Sequence, residues 1–333
     1  MSPRMHTAPQ QITIDHAFEG SAVRTLPEDA LDGLTQPFKE LPPKHFYDAR
    51  GAALFEQICE LPEYYPTRTE RAILERAADG IIAVTGAGEL VELGSGSATK
   101  TRVLLDAMAR AGTLERYVAI DVTESAVRES GLRLIEEYPD LSVHGLIGDF
   151  ERHLGRLPAP RARRLVVFLG GTIGNFRPGA RRRFLRSICA LLEVDDRLLL
   201  GTDLVKDRAT LIAAYDDQAG VTARFNRNIL HVLNRELGGN FAPDEFDHVA
   251  LFDDRNEWIE MRLRARSRQT VTLPVIGLQV DFAAGEELRT EISAKFTRAR
   301  LEADLAAAGL ALEGWYTDPR GWFAVSLAGR RVV

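Results

Sequence analysis

Cysteine is nearly absent from this 333-residue chain. Cys59 and Cys189 stand far apart and outside any C-x-x-C, which excludes a disulfide framework and a thiolate zinc site. The seven histidines form no H-E-x-x-H or similar ligand pair, and no metal is expected. Long apolar runs are missing as well. LVVFLGG at 165–171 is among the longest and falls far short of the roughly 20 residues that span a bilayer. The opening MSPRMHTAPQQI lacks the apolar stretch of a signal peptide, so a cytoplasmic, membrane-free protein is expected. Nor is there an excess of basic charge: a net charge of −6 argues against nucleic acid as a partner. Arginine does cluster, at Arg161, Arg163 and Arg164 and at Arg181, Arg182 and Arg183; both groups are expected on solvated loop or helix faces. What is present is a globular composition, 45 % hydrophobic, enough for one large core or two ordinary ones.

Residues 1–29 show little periodicity and read as a loosely ordered arm. In FYDARGAALFEQICEL, Phe46, Leu54, Phe55, Ile58 and Leu61 recur at roughly helical spacing. LPEYYPT then interrupts with two prolines, and Thr67 with Glu70 forms a T-x-x-E pattern that predicts a capping box on the next helix. From residue 89 short apolar runs alternate with helical stretches: ELVELGSG, YVAIDVT, LSVHGLIGDF, RRLVVFLGGTIGNF and DRLLLGTDL. Near-continuous apolar strands between helices imply a parallel sheet covered on both faces, an α/β fold. Residues 205–295 break the alternation with a polar helix and antiparallel strands. It resumes in RARLEADLAAAGLAL and ends in a hairpin whose turn is the D-P-R-G at 318–321. The division expected is one α/β domain from 69–204 and 296–333, with a second lobe from 30–68 and 205–295.

The stretch VELGSGSATKT places a Gly-x-Gly turn after a strand, where backbone approaches a ligand at the sheet's carboxyl edge. A phosphate loop is excluded, because no glycine precedes Lys100 in the required G-K-[ST] order. A dinucleotide fingerprint is disfavoured, because Thr99 stands where the third glycine belongs. Glu92, two residues before Gly94, suits a ligand with a positive centre and no pyrophosphate. S-adenosylmethionine is such a ligand. Asp121 ends the second strand, where an acid takes ribose hydroxyls, and Asp149-Phe150 ends the third, where an acid and an aromatic flank adenine. Taken singly, each acid is equally a turn or helix-cap residue.

Beyond the turn, FYDARGAALFEQICELPEYYPTRTE, LVELGSGSATKTR, VVFLGGTIGNF, GTDLVKD, AYDDQAGVTARFNRN, VDFAAGEE and TEISAKF carry a wider resemblance. Over about residues 40–328 the chain resembles the histidine-specific Nα-methyltransferases of ergothioneine biosynthesis. The resemblance implies a class I, Rossmann-like methyltransferase domain with a substrate lobe. It also implies three methyl transfers from S-adenosylmethionine to L-histidine, giving hercynine, by a monomer. Carried over by motif, Tyr64, Gly94, Lys100, Asp121, Asp149 and Phe150 would contact the cofactor. Asn175 and Tyr215 would hold the substrate carboxylate; Glu291 and Ser293 would bond the imidazole, Met261 would line its pocket, and Tyr47 would sit near the amine. Ser97 and Gly171 depart from the usual threonine and serine without replacing a group that has a role.

Repeated methylation ends in a cation with no N–H, so aromatic faces are expected around the amine; Tyr47, Phe55 and Tyr64 are the candidates. Four rival readings stay open: a related enzyme acting on another amino acid such as tryptophan, an NAD-dependent oxidoreductase, a nucleic-acid methyltransferase, and a non-catalytic scaffold.

Overall fold

The computed structural model describes residues 12–17, 25–95 and 100–331. Its strands begin with β1 (Ile12–His16), β2 (Lys39–Glu40), β3 (Glu89–Leu93), β4 (Arg116–Asp121), β5 (Ser142–Ile147), β6 (Arg164–Phe168) and β7 (Arg197–Asp203). They continue as β8 (Phe246–Asp253), β9 (Trp258–Ala265), β10 (Gln269–Leu273), β11 (Leu278–Phe282), β12 (Glu287–Ala294), β13 (Leu310–Thr317) and β14 (Phe323–Arg330). The helices are α1 (Leu26–Leu34), α2 (Ala49–Glu60), α3 (Pro66–Thr85), α4 (Thr101–Ala111) and α5 (Glu124–Glu137). After them come α6 (Phe150–His153), α7 (Pro178–Leu191), α8 (Arg208–Ala213), α9 (Val221–Leu237) and α10 (Arg298–Ala307).

The main sheet runs β1-β5-β4-β3-β6-β7-β14-β13, parallel from β1 to β7 and closed by the antiparallel β14 and β13. Alternate residues feed two cores. Val91, Val118, Val166 and Leu198 pack with α7 and α10 on one face. Leu90, Tyr117, Leu165 and Leu199 pack with α3, α4 and α5 on the other. The strands are buried on both faces, which is why they read as unbroken apolar runs.

A second sheet, β2-β12-β9-β8, rests on α9, and Phe46, Ile229, Leu233, Phe246, Leu263 and Phe282 share its core. The β10–β11 hairpin joins that core through Val271, Leu273 and Phe282. Asp48 opens α2 by accepting from the Gly51 N–H at 2.8 Å. Glycine is required at 51, since a Cβ there would lie 1.7 Å from the Phe46 carbonyl oxygen.

Three sequence expectations need correction. Within the expected arm, Ile12–His16 pairs in parallel with β5 as an edge strand, and α1 begins at Leu26. Ile12 is accommodated because α5 carries Gly131 beneath it; a Cβ there would be 2.6 Å from Ile12 Cδ1. Thr67 does not cap α3. The helix starts two residues earlier than such a cap implies, at Pro66, whose ring suits the first turn, and the Thr67 hydroxyl bonds Cys59 instead. Finally, Arg164 and Arg181 are buried rather than solvated: Arg164 pairs with Glu89 inside the sheet's amino edge, and Arg181 with Asp304 against the Phe296 ring.

Candidate active site

The carboxyl ends of β3 to β7 form one edge, and the glycine turn lies at its centre. Gly94 is exposed and adopts φ 75°, a conformation that penalises other residues; a Cβ there would lie 3.6 Å from the Phe150 ring. Phe150 thus flanks the turn, held edge-on to Phe168 at 5.2 Å. Asp149 caps α6 through the Glu151 N–H at 2.8 Å, and Asp121 accepts from the Thr123 N–H at 3.0 Å. Both acids are therefore turn-formers placed at the two strand ends beside Gly94. Gly96, Ser97 and Thr99, which complete the turn's pattern, lie outside the described residues.

Glu92 stands beneath this turn rather than in it. Its carboxylate accepts from the hydroxyls of Thr101 and Tyr117, and burial pushes it up to about 7 against the pull of those bonds. Lys100 is bound to Glu70, which has no exposed surface and also accepts from the Gly170 N–H at 2.9 Å. Glu70 ties the first turns of α3 and α4 to the end of β6. The T-x-x-E pattern pointed to Glu70 for a different reason, so this role was missed. The pieces fit a nucleoside with a cationic centre: an open glycine turn, a flanking ring, and acids on two successive strand ends. Among the described residues, no group of three or more His, Cys, Asp or Glu is placed to hold a metal. Among the same residues, no helix is long and apolar enough to cross a membrane.

Beside this edge an aromatic wall continues from the N-terminal segment. Tyr47 meets Phe55 at 5.6 Å and Phe225 at 5.7 Å; Phe55 meets Tyr64 at 6.1 Å, and Tyr64 meets Tyr215 at 6.3 Å. Tyr47 remains 44 % exposed, whereas Tyr64 and Tyr215 are buried. The sequence reading had the first three rings; Phe225, from α9, was not foreseen.

Strand β12 supplies the other wall. Register pairs Glu291 with Met261 and Ser293 with Ile259, placing Glu291, Ser293 and Met261 on one face. Glu291 makes no ion pair or hydrogen bond among the described residues, and burial pushes its carboxyl up to about 7, with Lys295 pulling the other way. Asn175 ends the turn Thr172–Asn175 that follows β6. That turn seats directly on β12, since a Cβ at Gly174 would lie 2.8 Å from the Ala294 carbonyl oxygen. The same Cβ would lie 3.5 Å from Ser293 Oγ, so the residue before Asn175 adjoins Ser293, to which Tyr215 donates at 2.8 Å.

Behind them runs a buried polar chain that the sequence did not disclose. Lys295 donates to Ser293 at 2.9 Å and Tyr215 at 3.0 Å, and pairs with Asp203 at 2.8 Å. Lys206 and Tyr65 bond the same Asp203, at 2.6 and 2.9 Å. Burial drives the Asp203 carboxyl upward, but the two lysines outweigh it and hold it below the ordinary range. Burial lowers Lys206 to about 8. Asp203 and Lys206 lay inside the quoted GTDLVKD, and Ser293 and Lys295 inside TEISAKF, yet nothing in their spacing shows that a sheet end and a distant strand will meet.

A parallel sheet of this kind, with a reversed terminal pair and an exposed Gly94 just past its central strand, is a Rossmann-like α/β fold, the class that takes its ligand at the carboxyl edge of the strands. Residues 26–330 match the family of histidine-specific, S-adenosylmethionine-dependent methyltransferases, and the chain belongs to that family. It is 53 % identical over 310 residues to the histidine N-alpha-methyltransferase of Mycolicibacterium smegmatis, covering 93 % of this chain and 96 % of that one. The Mycobacterium tuberculosis protein of the same name is 48 % identical, with 95 % and 98 % covered. Ergothioneine biosynthesis protein 1 of Schizosaccharomyces pombe is 33 % identical across 70 % of this chain, which spans 31 % of that longer protein.

Proposed function

We propose that this protein transfers three methyl groups in succession from S-adenosylmethionine to the α-amino nitrogen of L-histidine, forming hercynine for ergothioneine biosynthesis. The observation that carries the reading is the unpartnered Glu291, on one sheet face with Ser293 of its own strand and Met261 of the paired strand β9, with Tyr215 bonded to that Ser293. S-adenosylmethionine supplies a methyl carbon already activated by its sulfonium. Gly94, Lys100, Asp121, Asp149, Phe150 and Tyr64 hold it at the sheet edge. Asn175 and Tyr215 take the substrate carboxylate, and Glu291 and Ser293 take the imidazole while Met261 packs against it. Alignment of amine and methyl carbon then supplies most of the acceleration, up to about 7–11 kcal/mol in intramolecular systems. Tyr47 orients or relays the proton the amine must lose. Tyr47, Phe55 and Tyr64 offer ring faces to the methylated ammonium, worth about 0.5–2 kcal/mol.

In this reading residues 30–68 and 205–295 act as the substrate lobe, 69–204 and 296–333 as the cofactor domain, and the protein works as a cytoplasmic monomer. An amino acid whose side chain carries no N–H is disfavoured by Glu291: a half-buried acid left without a donor discriminates more strongly than a missing methylene, and tryptophan, which does carry one, is separated by the product test below. The test is incubation with S-adenosylmethionine and an equimolar mixture of the twenty amino acids, followed by mass spectrometry. Histidine heavier by three methyl groups is expected. Methylation of another amino acid, or of none, overturns the assignment.

A further inference from the structure

Lys295 has no exposed surface, and its three N–H donors are all engaged, by Asp203 at 2.8 Å, Ser293 at 2.9 Å and Tyr215 at 3.0 Å. An ammonium only donates, so both hydroxyl oxygens act as acceptors toward it. Those hydroxyls lie 2.8 Å apart, and one of their two hydrogens fits between them. In one of the two arrangements this permits, Tyr215 donates to Ser293. Ser293 Oγ then accepts twice, and its own hydrogen must leave toward the pocket. When Tyr215 turns its hydrogen to a carboxylate, Ser293 must donate to Tyr215 and present a lone pair to the pocket instead.

Resting on the substrate assignment above, we propose that Lys295 is a positioning residue that makes Tyr215 and Ser293 a one-hydrogen relay. Docking of the α-carboxylate switches Ser293 from donor to acceptor toward the substrate's side chain. In the carboxylate-bound state Ser293 and an ionised Glu291 both demand N–H groups, which a ring protonated on both nitrogens supplies. Without the carboxylate, Ser293 asks for a bare ring nitrogen. Lys295 enforces the alternation by filling one acceptor position on each oxygen; without it, either orientation serves either partner. Recognition of the backbone and of the side chain of the substrate thus become one event.

The replacement to make is Lys295→Met, which leaves Asp203 paired with Lys206 at 2.6 Å and bonded by Tyr65. Calorimetry with S-adenosylhomocysteine present compares L-histidine with histamine, which keeps the ring and lacks the carboxylate. The parent chain is expected to prefer histidine by about 10–100-fold, the range of one charge-assisted hydrogen bond. Lys295→Met should shrink that ratio by about tenfold with S-adenosylhomocysteine affinity unchanged, and Ser293→Ala should then have little further effect. Equal loss of both ligands, or independent effects of Lys295→Met and Ser293→Ala, overturns the proposal. If Lys295→Met abolishes S-adenosylhomocysteine binding, Tyr215→Phe and Ser293→Ala provide the same cycle. Their effects on the ratio must be non-additive, and additivity overturns the relay. Failure of the parent chain to bind histidine at all instead counts against the substrate assignment.

Discussion

Replacing Glu291 by glutamine should separate stability from function. The carboxyl is partly buried, bears no hydrogen bond among the described residues, and is raised from 4.5 to about 7 by burial. Its folded-state value lies above its unfolded one, so between those values the folded protein holds more protons and stability falls as pH rises. The full shift corresponds to about 3 kcal/mol; allowing for residual exposure, about 2–3 kcal/mol is expected. Relative to the parent, the glutamine variant should gain about that much between pH 4 and pH 8, nearly all of it between pH 4.5 and 7. Urea unfolding followed by tryptophan fluorescence at both pH values measures the difference and cancels any pH-independent effect of the amide. Turnover should move oppositely, with kcat/KM for histidine lower by about 10–100-fold and S-adenosylmethionine affinity preserved. A stability difference that is flat with pH would refute the reasoning, as would equal losses toward both substrates.

Other consequences concern the aromatic wall and the Glu70 tie. Tyr47→Leu and Phe55→Leu should leave partly methylated histidine among the products, read by mass spectrometry, since the later ammonium ions lose about 0.5–2 kcal/mol of ring attraction. Glu70→Gln weakens the Lys100 pairing and one acceptor for the Gly170 N–H; it should destabilise the fold by about 1–3 kcal/mol in urea unfolding and weaken S-adenosylhomocysteine binding in calorimetry.

The main sheet was legible because its strands are buried on both faces, so Val91, Val118, Val166 and their neighbours leave unbroken apolar runs. The candidate substrate face was legible only through the TEISAKF resemblance; alternation alone does not reveal that Glu291 faces a pocket. What stayed hidden depends on long-range geometry. Glu70 sits three residues after a threonine, and local capping chemistry explains that spacing well, yet its carboxylate reaches Gly170 and Lys100. Asp203 and Lys295 look like surface charges in sequence, and only the meeting of β7 with the end of β12 makes them a buried pair. Arg181 misled in the same way: its neighbours Arg182 and Arg183 suggest a solvated face, but helical rotation turns Arg181 inward toward Asp304. Strand β1 escaped notice because five residues of weak alternation carry too little pattern to outweigh the polar segment around them.

That strand has a consequence for synthesis. Ile12 pairs with Val143 and His16 with Ile147, so β1 leaves the ribosome well before the strand it needs exists. Throughout that interval a segment with free backbone donors and acceptors must wait, while α3, β3 and β4 assemble without it. The pairing is parallel and far apart in the chain, the combination that closes slowly. Pairing of this first described strand therefore has to wait for β5, and it covers the side of β5 that β4 leaves open.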